Sequence, residues 1–590
     1  MAIINIKREN NAKQNTKATQ PKLITAPRTE RKYERVVDSY DLCRVIAKHG
    51  DRVAFSYFDK DRKLCHLSYE RFYNRIERVA AGLTGLGYAG KRIALVGETS
   101  VAWLASYLAI LTTGGVVIPV DKELDISSIV GLLENVEADA IIYSSGFNGK
   151  FSSVIGEDSS IKLLLPIDPD ERELKDPRVV AYREMRAAGK RDVEAGKFRL
   201  SPVQSREGLA EFLFTSGTTG TSKTVMLSQK NIFSVVTAAC ESVEFFPDDV
   251  IMSVLPIHHT YELACLLAAM DYGIHICIND SLTRVLKNLQ LFKPTGLVLV
   301  PLFVYTFYKK IWSEAKKNGK DKTLRLGLTA SHALRRAGID RRRDIFGQVL
   351  DSFGGRLEKI ICGGAALNPK MIEFFDSMGI AIYEGFGITE CAPLTFVTPY
   401  YARKLGSVGP AVPCCQGRID GDRFNAQGYI EGEIQIKGDN VMLGYYKNEA
   451  ATEDVFTRDG WFRTGDIGYM DKDGYFYITG RLKSVIVLEN GKNIFPEEIE
   501  EYLSDIELIA ESVVVGRQNG AAVDLVAVVY PNMAQFSEDA SSEEIYDAIY
   551  AEIIALNKKL PSHKHIAKLE IREIEFEKTT SRKIKRYLIK

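Results

Sequence analysis

At 590 residues the chain is too long for one ordinary hydrophobic core, and roughly three or four structural units are expected from length alone. Its 77 Lys and Arg balance 77 Asp and Glu, which excludes a global field that would draw it to nucleic acid or to an anionic surface; 45% hydrophobic and 26% charged residues describe an ordinary globular protein. Nine scattered cysteines, odd in number and without a C-x-x-C pair, argue against a disulfide framework or a structural zinc site and suit a reducing cytoplasm.

Residues 1–30 lack the apolar core of a secretory signal and any periodic apolar face, and are expected to form a loose tail. Apolar runs of strand length then alternate with helical patterns: RIALVG (92–97), a helix near 101–111, VVIPV (116–120), the helical DISSIVGLLENV, and AIIYS (140–144). This rhythm predicts parallel sheets covered by helices. The uncharged run 101–120 is long enough to span a bilayer. Gly114-Gly115 and Pro119 instead favour a buried helix, a tight turn and a buried strand.

The stretch FLFTSGTTGTSKTVMLS (212–228) almost spells a P-loop, since Gly217 precedes Lys223 and Thr224. A P-loop needs glycine before the lysine and a helix after it. Here Ser222 precedes the lysine and 224–227 reads as a strand, so a hydroxyl-rich loop between two strands is predicted. Gly217 and Gly220 permit close backbone approach, and Thr215, Ser216, Thr218, Thr219 and Thr221 offer O–H donors to an anion. Taken alone, the same residues suit a solvated hairpin loop equally well.

Strand-like runs return at 250–256, 275–278, 296–301 and 358–364. Beyond about residue 405, short alternating segments such as GEIQIKG and GYFYITG, punctuated by Asp-Gly and Asn-Gly, predict antiparallel hairpins. A final mixed unit begins near 482, and Gly480 in TGRLKS would supply freedom at the joint. Neither a fixed-period repeat nor a low-complexity tract interrupts the pattern.

Six ordered segments, LFTSGTTGTSKTVMLSQKN, LPIHHTYE (255–262), CGGAAL (362–367), YEGFGITE (383–390), GWFRTGDIG (460–468) with ITGRLKSVIVLENGKNIFPEEIE (478–500), and KTTSRKIKR (578–586), resemble the signatures of the adenylate-forming enzymes. That superfamily includes acyl-CoA synthetases, nonribosomal peptide adenylation domains and firefly luciferase. The resemblance runs from about residue 33 to 590. It implies an α/β protein: a large N-terminal domain (31–480) of two parallel or mixed helix-covered sheets with a small β-barrel-like subdomain (about 405–480), and a small mobile α+β C-terminal domain (481–590).

The implied chemistry sets a carboxylate against the α-phosphate of ATP, and anion repulsion makes cations and aimed donors obligatory. By resemblance, Thr215, Ser216, Gly217, Thr218, Thr219, Gly220 and Lys223 close over the β- and γ-phosphates. Glu390 would hold Mg²⁺ and Thr389 would contact the α-phosphate. Phe386 would stack on adenine within a nucleotide site that includes Gly363, Gly364, Ala365, Glu384 and Gly385. Asp466 and Arg481 would hold the ribose, and Lys583 would bridge carboxylate and α-phosphate as the catalytic cation. His259 would sit at the mouth of the acyl pocket, with His258 and Tyr261 lining it.

Each assignment has a plainer competitor from the residues alone. Asp466 after Gly465 suits a turn, Phe386 suits a core, Lys583 lies in a basic run that suits a solvated face, and the His258-His259 pair need not meet a ligand. Three positions depart from the family pattern: Ser222, Thr224 and Arg582 stand where it usually has Pro, Gly and Gly. Those changes bear on loop dynamics rather than on the charges the chemistry requires.

The resemblance further implies a hinge at Lys483 and a pantetheine approach over Gly491. Since the chain stops four residues after Arg586, a free thiol, most simply coenzyme A, is the expected acceptor, with a separate acyl carrier protein as the alternative. The long segment 328–360 and LENGKNIFPEEIE resemble the long-chain fatty acid branch, with an aryl acid as the alternative substrate. A nucleotide-binding regulatory protein with lost catalysis is the alternative of another class. No nucleic-acid partner is expected. Arg335, Arg336, Arg341, Arg342 and Arg343, against Asp340 and Asp344 and beside Ile339, Ile345 and Phe346, suit either weak peripheral membrane contact or a solvated helix with salt bridges.

Overall fold

The structure is a computed structural model that describes residues 33–589 apart from 172, 216–222, 489–492, 520–521, 538 and 579–583. The chain divides into two compact units, one drawn from residues up to 216 with 222–418 and 437–454, the other from 217–221, 419–436 and 455–590. The segment 405–480 is therefore shared between the units, with 419–436 and 455–480 grouped with the C-terminal residues.

The first unit holds two large sheets. One runs, in spatial order, Leu394–Val397, Ala381–Gly387, Lys359–Gly363, Gly296–Leu299, Val250–Ser253, His275–Ile278, Val53–Phe58, Leu64–Ser68. The other runs Gly444–Tyr445, Lys223–Ser228, Leu209–Thr215, Val116–Val120, Arg92–Val96, Ala140–Tyr143, Leu163–Pro166. Interior pairs are parallel, and antiparallel strands close both edges of the first sheet and one edge of the second. Strands such as Val116–Val120 are buried along their whole length, which is why they read as continuous apolar runs rather than alternating ones.

The uncharged run 101–120 is the helix Val101–Thr112, a turn at Gly114 with φ +74°, and that buried strand. Ser100 starts the helix by accepting a hydrogen bond from the Trp103 amide at 3.1 Å. Among the described residues no helix is long and apolar enough to cross a membrane.

Helices Pro301–Lys317 and Asp321–Arg336 bury one stripe each, through Val304, Phe307, Ile311 and Leu324, in the same cluster as Leu297, Leu299 and Ile360 of the first sheet. Behind them three arginines converge on one carboxylate. Asp376 accepts from Arg335 Nη1 at 2.6 Å, Arg403 Nη2 at 2.9 Å and Arg342 Nη1 at 3.3 Å. Burial alone would raise the Asp376 carboxyl, but Arg403 and Arg335 outweigh it and hold it below the ordinary range. Arg342, its side chain 3% exposed, also grips Asp340, and Arg343 donates to the carbonyls of Leu357 and Gly355. Three of the five arginines expected in a surface patch thus turn inward as a brace, because buried carbonyls and carboxylates there need donors.

In the second unit the strands Cys415–Phe424, Ile430–Gly438, Phe462–Met470 and Phe476–Arg481 form one sheet in that order, and Ile430–Gly438, Phe462–Met470 and Phe476–Arg481 pair antiparallel. A three-stranded sheet, Ile509–Asn519, Ala522–Pro531, Lys568–Ile571, packs with helices Pro496–Ser504 and Ser542–Asn557 around Ile499, Leu503, Val514 and Ile549. Gly480 is paired within its strand, and a Cβ there would meet the Phe495 ring at 2.4 Å. Close packing, rather than freedom at a joint, is what requires glycine at 480.

Candidate active site

The expected hairpin is present. Leu209–Thr215 and Lys223–Ser228 pair antiparallel, with Thr215 opposite Lys223 and Phe214 opposite Thr224. Thr215 Oγ1 donates to the Lys223 carbonyl at 3.2 Å and closes the base of the loop. A strand, not a helix, follows the lysine, and the next helix begins only at Gln229 under a Ser228 capping box. Thr224 sits in extended, paired backbone that suits a β-branched residue. Ser216, Gly217, Thr218, Thr219 and Gly220 lie outside the described residues.

At the hairpin base, a residue not singled out from sequence joins two that were. Lys223 Nζ stands 4.3 Å over the Tyr445 ring, and the Tyr445 hydroxyl donates to Glu390 Oε1 at 2.9 Å. The strand Gly444–Tyr445 pairs antiparallel with Lys223–Ser228, and the Met442 amide donates to the Glu390 carbonyl at 2.8 Å. Burial, and then the Glu390 charge, push the Tyr445 hydroxyl well above its ordinary range, so it remains a donor. A cleft of about 380 Å³ adjoins Lys223 and Tyr445; Glu134, Glu137 and Lys447 also line it, and Glu390 does not. Thr389 and Glu390 occupy the short turn Thr389–Cys391 that follows the strand Ala381–Gly387.

The neighbouring strand ends carry the rest of this group. Gly363 and Gly385 are register partners, and a Cβ on Gly363 would lie 3.1 Å from the Gly385 carbonyl and 3.3 Å from the Tyr261 ring. Gly364 adopts φ +86°, and it and Ala365 are exposed. Phe386 is half-buried, stacked on Phe396 at 5.7 Å. Glu384 is buried, and its amide donates to Thr398 Oγ1 at 2.9 Å. Tyr261 donates to the carbonyls of Leu299 (3.2 Å) and Ile361 (3.0 Å), pinning two adjacent strand ends.

The segment leading into helix Thr260–Tyr272 is partly buried, with His258, His259 and Tyr261 half-buried. The His258 and His259 rings lie 4.2 Å apart. His258 Nε2 stands 3.7 Å from Asp121 Oδ2, too far for a hydrogen bond; burial, then His259 and Lys122, push this imidazole well below its ordinary range, so it is neutral. Glu262, also missed from sequence, is fully buried and accepts from the Ser253 hydroxyl; burial pushes its carboxyl up to about 8. The glutamate ending LPIHHTYE, one of two acids in a largely apolar helix, was the available signal.

In the second unit, Asp466 and Arg481 face each other in register, and Arg481 Nε lies 3.0 Å from Asp466 Oδ1. Asp466 is 3% exposed, and Thr464 Oγ1 accepts from its amide at 3.0 Å. Lys483 lies in the short turn Leu482–Ser484. Gly491 and Lys583 lie outside the described residues.

Two helix-covered sheets followed by a smaller α+β unit give this chain the fold of the adenylate-forming enzymes. Residues 42–446 match the AMP-binding enzymes, residues 483–590 match the AMP-binding enzyme C-terminal domain, and the chain is a member of the AMP-binding enzyme family. It is 28% identical over 550 residues to the long-chain-fatty-acid–CoA ligase FadD15 of Mycobacterium bovis, covering 88% of this chain and 89% of that protein. The fold is similar to that of ATP-bound MatB from Rhodopseudomonas palustris (TM-score 0.70, 23% identity, 94% of this chain and 98% of that one). It is also similar to that of o-succinylbenzoate CoA synthetase from Bacillus subtilis in complex with its acyl-adenylate (TM-score 0.67, 20% identity, 93% and 97%).

Proposed function

We propose that this chain is an ATP- and Mg²⁺-dependent ligase that activates a medium- or long-chain fatty acid as its acyl-adenylate, releases pyrophosphate, and transfers the acyl group to coenzyme A. The observation that carries this reading is the chain of contacts from Lys223 through Tyr445 to Glu390 at the base of the glycine hairpin. A cation and a carboxylate held close together support a reading in which Lys223 would meet a polyphosphate and Glu390 its metal. Among the described residues no three His, Cys, Asp or Glu gather into a metal cluster. On this reading Glu390 would hold Mg²⁺, which would supply positive charge against the phosphates.

On this reading Lys223, Thr215 and the hydroxyls of the loop orient the phosphates, and Thr389 donates to the α-phosphate. Phe386 offers adenine the ring face that Phe396 does not cover. Asp466, oriented by Arg481, accepts from the ribose hydroxyls, and Lys583 bridges the acyl carboxylate and the α-phosphate. The neutral His258, His259 and Tyr261 border the acyl pocket, while Lys483 serves as hinge and Gly491 as the pantetheine approach. Resemblance to long-chain relatives supports the fatty acid. The fold shared with an aryl-acid ligase keeps an aryl acid as the second reading.

The test is pyrophosphate release across acids from acetate to oleate plus benzoate, each with and without coenzyme A. Coenzyme-A-dependent turnover peaking at long chains is expected. Turnover on benzoate alone would move the substrate to the second reading, and arrest at acyl-adenylate with every acid would move the acceptor to a carrier protein. Lys583→Ala is expected to abolish adenylation and spare ATP binding; full activity in that variant would remove Lys583 from the chemistry.

A further inference from the structure

We infer that Arg92 is a positioning residue for the hairpin base, acting through a clamp around Tyr446 that fixes where Tyr445 sits. This role rests on the proposed function, in which Lys223 would meet the phosphates and Glu390 their metal. Arg92 begins the strand Arg92–Val96, and its Nη1 donates to the Val136 carbonyl at 2.9 Å, to Glu137 Oε2 at 2.8 Å and to the Tyr446 hydroxyl at 3.1 Å. The same guanidinium lies 5.7 Å over the Phe212 ring and 5.6 Å over the Tyr446 ring. Those two rings meet edge to face at 4.7 Å, and Phe212 is a fully buried residue of the strand that enters the hairpin. From the other side Lys447 Nζ donates to Glu137 Oε1 at 2.8 Å and stands 5.0 Å over the Tyr446 ring. One tyrosine is thus held between two cations that share one carboxylate.

Backbone conformation points the same way. Glu137 and Lys447 both adopt left-handed φ, +52° and +51°, which strains a residue carrying a Cβ and persists only where the surroundings impose it. Tyr446 extends the pairing of Gly444–Tyr445 with the hairpin, its amide donating to the Thr224 carbonyl at 2.9 Å. Successive side chains of an extended segment point to opposite faces. Tyr446 therefore faces the clamp while Tyr445 faces Lys223 and Glu390. Withdrawing Tyr446 would carry Tyr445 with it, and a shift of about 1 Å there would displace both the cation and the carboxylate. The Glu137 and Lys447 side chains are each more than half exposed, whereas that of Arg92 is 29% exposed. Exposed ion pairs contribute little, so Arg92, stacked and partly shielded, dominates the clamp.

The experiment is calorimetric binding of ATP with Mg²⁺ to the full chain, without acid or coenzyme A, alongside KM for ATP and kcat in pyrophosphate release. Arg92→Lys should raise Kd and KM for ATP about fivefold and leave kcat within about twofold, since a contact made equally in ground and transition states acts on KM. Glu137→Gln, at an exposed carboxylate, should raise both about twofold. Arg178→Lys, at an arginine of similar exposure paired with Asp176, should leave all three constants unchanged. A double-mutant cycle supplies the reading that a merely structural arginine would not move. In a Tyr445→Leu background, Arg92→Lys should cost less than about twofold more, because the route to Lys223 and Glu390 is already cut. The proposal is overturned by full additivity in that cycle, by absence of ATP binding in the parent chain, or by a lowered melting temperature with unchanged ATP constants. If ATP binding responds as stated but no fatty acid is turned over, the substrate assignment fails and the clamp stands. If long acids are turned over while ATP binding ignores the 92 and 137 variants, the clamp fails and the substrate assignment stands.

Discussion

The hairpin base around Lys223, Tyr445 and Glu390 and the entrance of helix Thr260–Tyr272 treat polar groups in opposite ways. At the hairpin base a cation and a carboxylate stay half-buried and are tied through one aromatic ring. At the helix entrance burial drives His258 to its neutral form and raises Glu262 to about 8. On the proposed function, a polyanion and its metal would take the first environment and an acyl chain would border the second. The difference teaches that one unit can present both by how far it shields each group, with few changes of residue type.

The largest effect should come from removing the charge at the hairpin base. Glu390→Gln is expected to lower kcat/KM for pyrophosphate release by about 10²–10³, with a raised Mg²⁺ requirement. An unchanged Mg²⁺ dependence would detach Glu390 from the metal. The buried side of helix Thr260–Tyr272 should be broken by pH instead. The Glu262 carboxyl, near 8 in the folded chain against an ordinary 4.5, favours the folded state fully below about pH 4.5 and loses that advantage as pH climbs toward 8. Denaturant melts of Glu262→Gln should lack this part of the decline, on the order of a few kcal/mol. If wild type and variant decline in parallel over that range, the carboxyl is not held neutral.

Tyr445→Phe sharpens the contrast, because it keeps the ring under Lys223 and removes only the hydroxyl from Glu390. About a tenfold loss in kcat/KM is expected, matching one hydrogen bond to a charged group. A loss confined to stability would make the tyrosine structural. The smallest effect belongs to Thr224→Gly, which restores the residue usual in the family. Since Thr224 is paired in a strand, the change should cost about 0.5–1 kcal/mol in thermal or urea melts.

Much of this was legible in sequence. The parallel strands announce themselves because burial on both faces leaves no polar alternation, and Ser222 with the strand pattern after Lys223 excluded a P-loop. Tyr445 was not legible: its partners lie 55 and 222 residues away in the chain, and nothing local marks a tyrosine that bridges them. The arginines misled for a related reason. Charge counting cannot see that Arg335 and Arg342 face Asp376 from different segments, while Arg336 and Arg341 face solvent. Gly480 was read as a source of freedom because a glycine's neighbours in space, here the Phe495 ring, are invisible to local pattern.

The convergence of Arg335, Arg342 and Arg403 on Asp376 also bears on how this protein can change over generations. Losing Asp376 alone would leave three crowded cations without their common partner, and losing one arginine would unbalance the other two. Single steps away from the arrangement are therefore disfavoured even where each final combination would be tolerable. Arg335, Arg342, Asp376 and Arg403 should therefore be replaced together rather than one at a time.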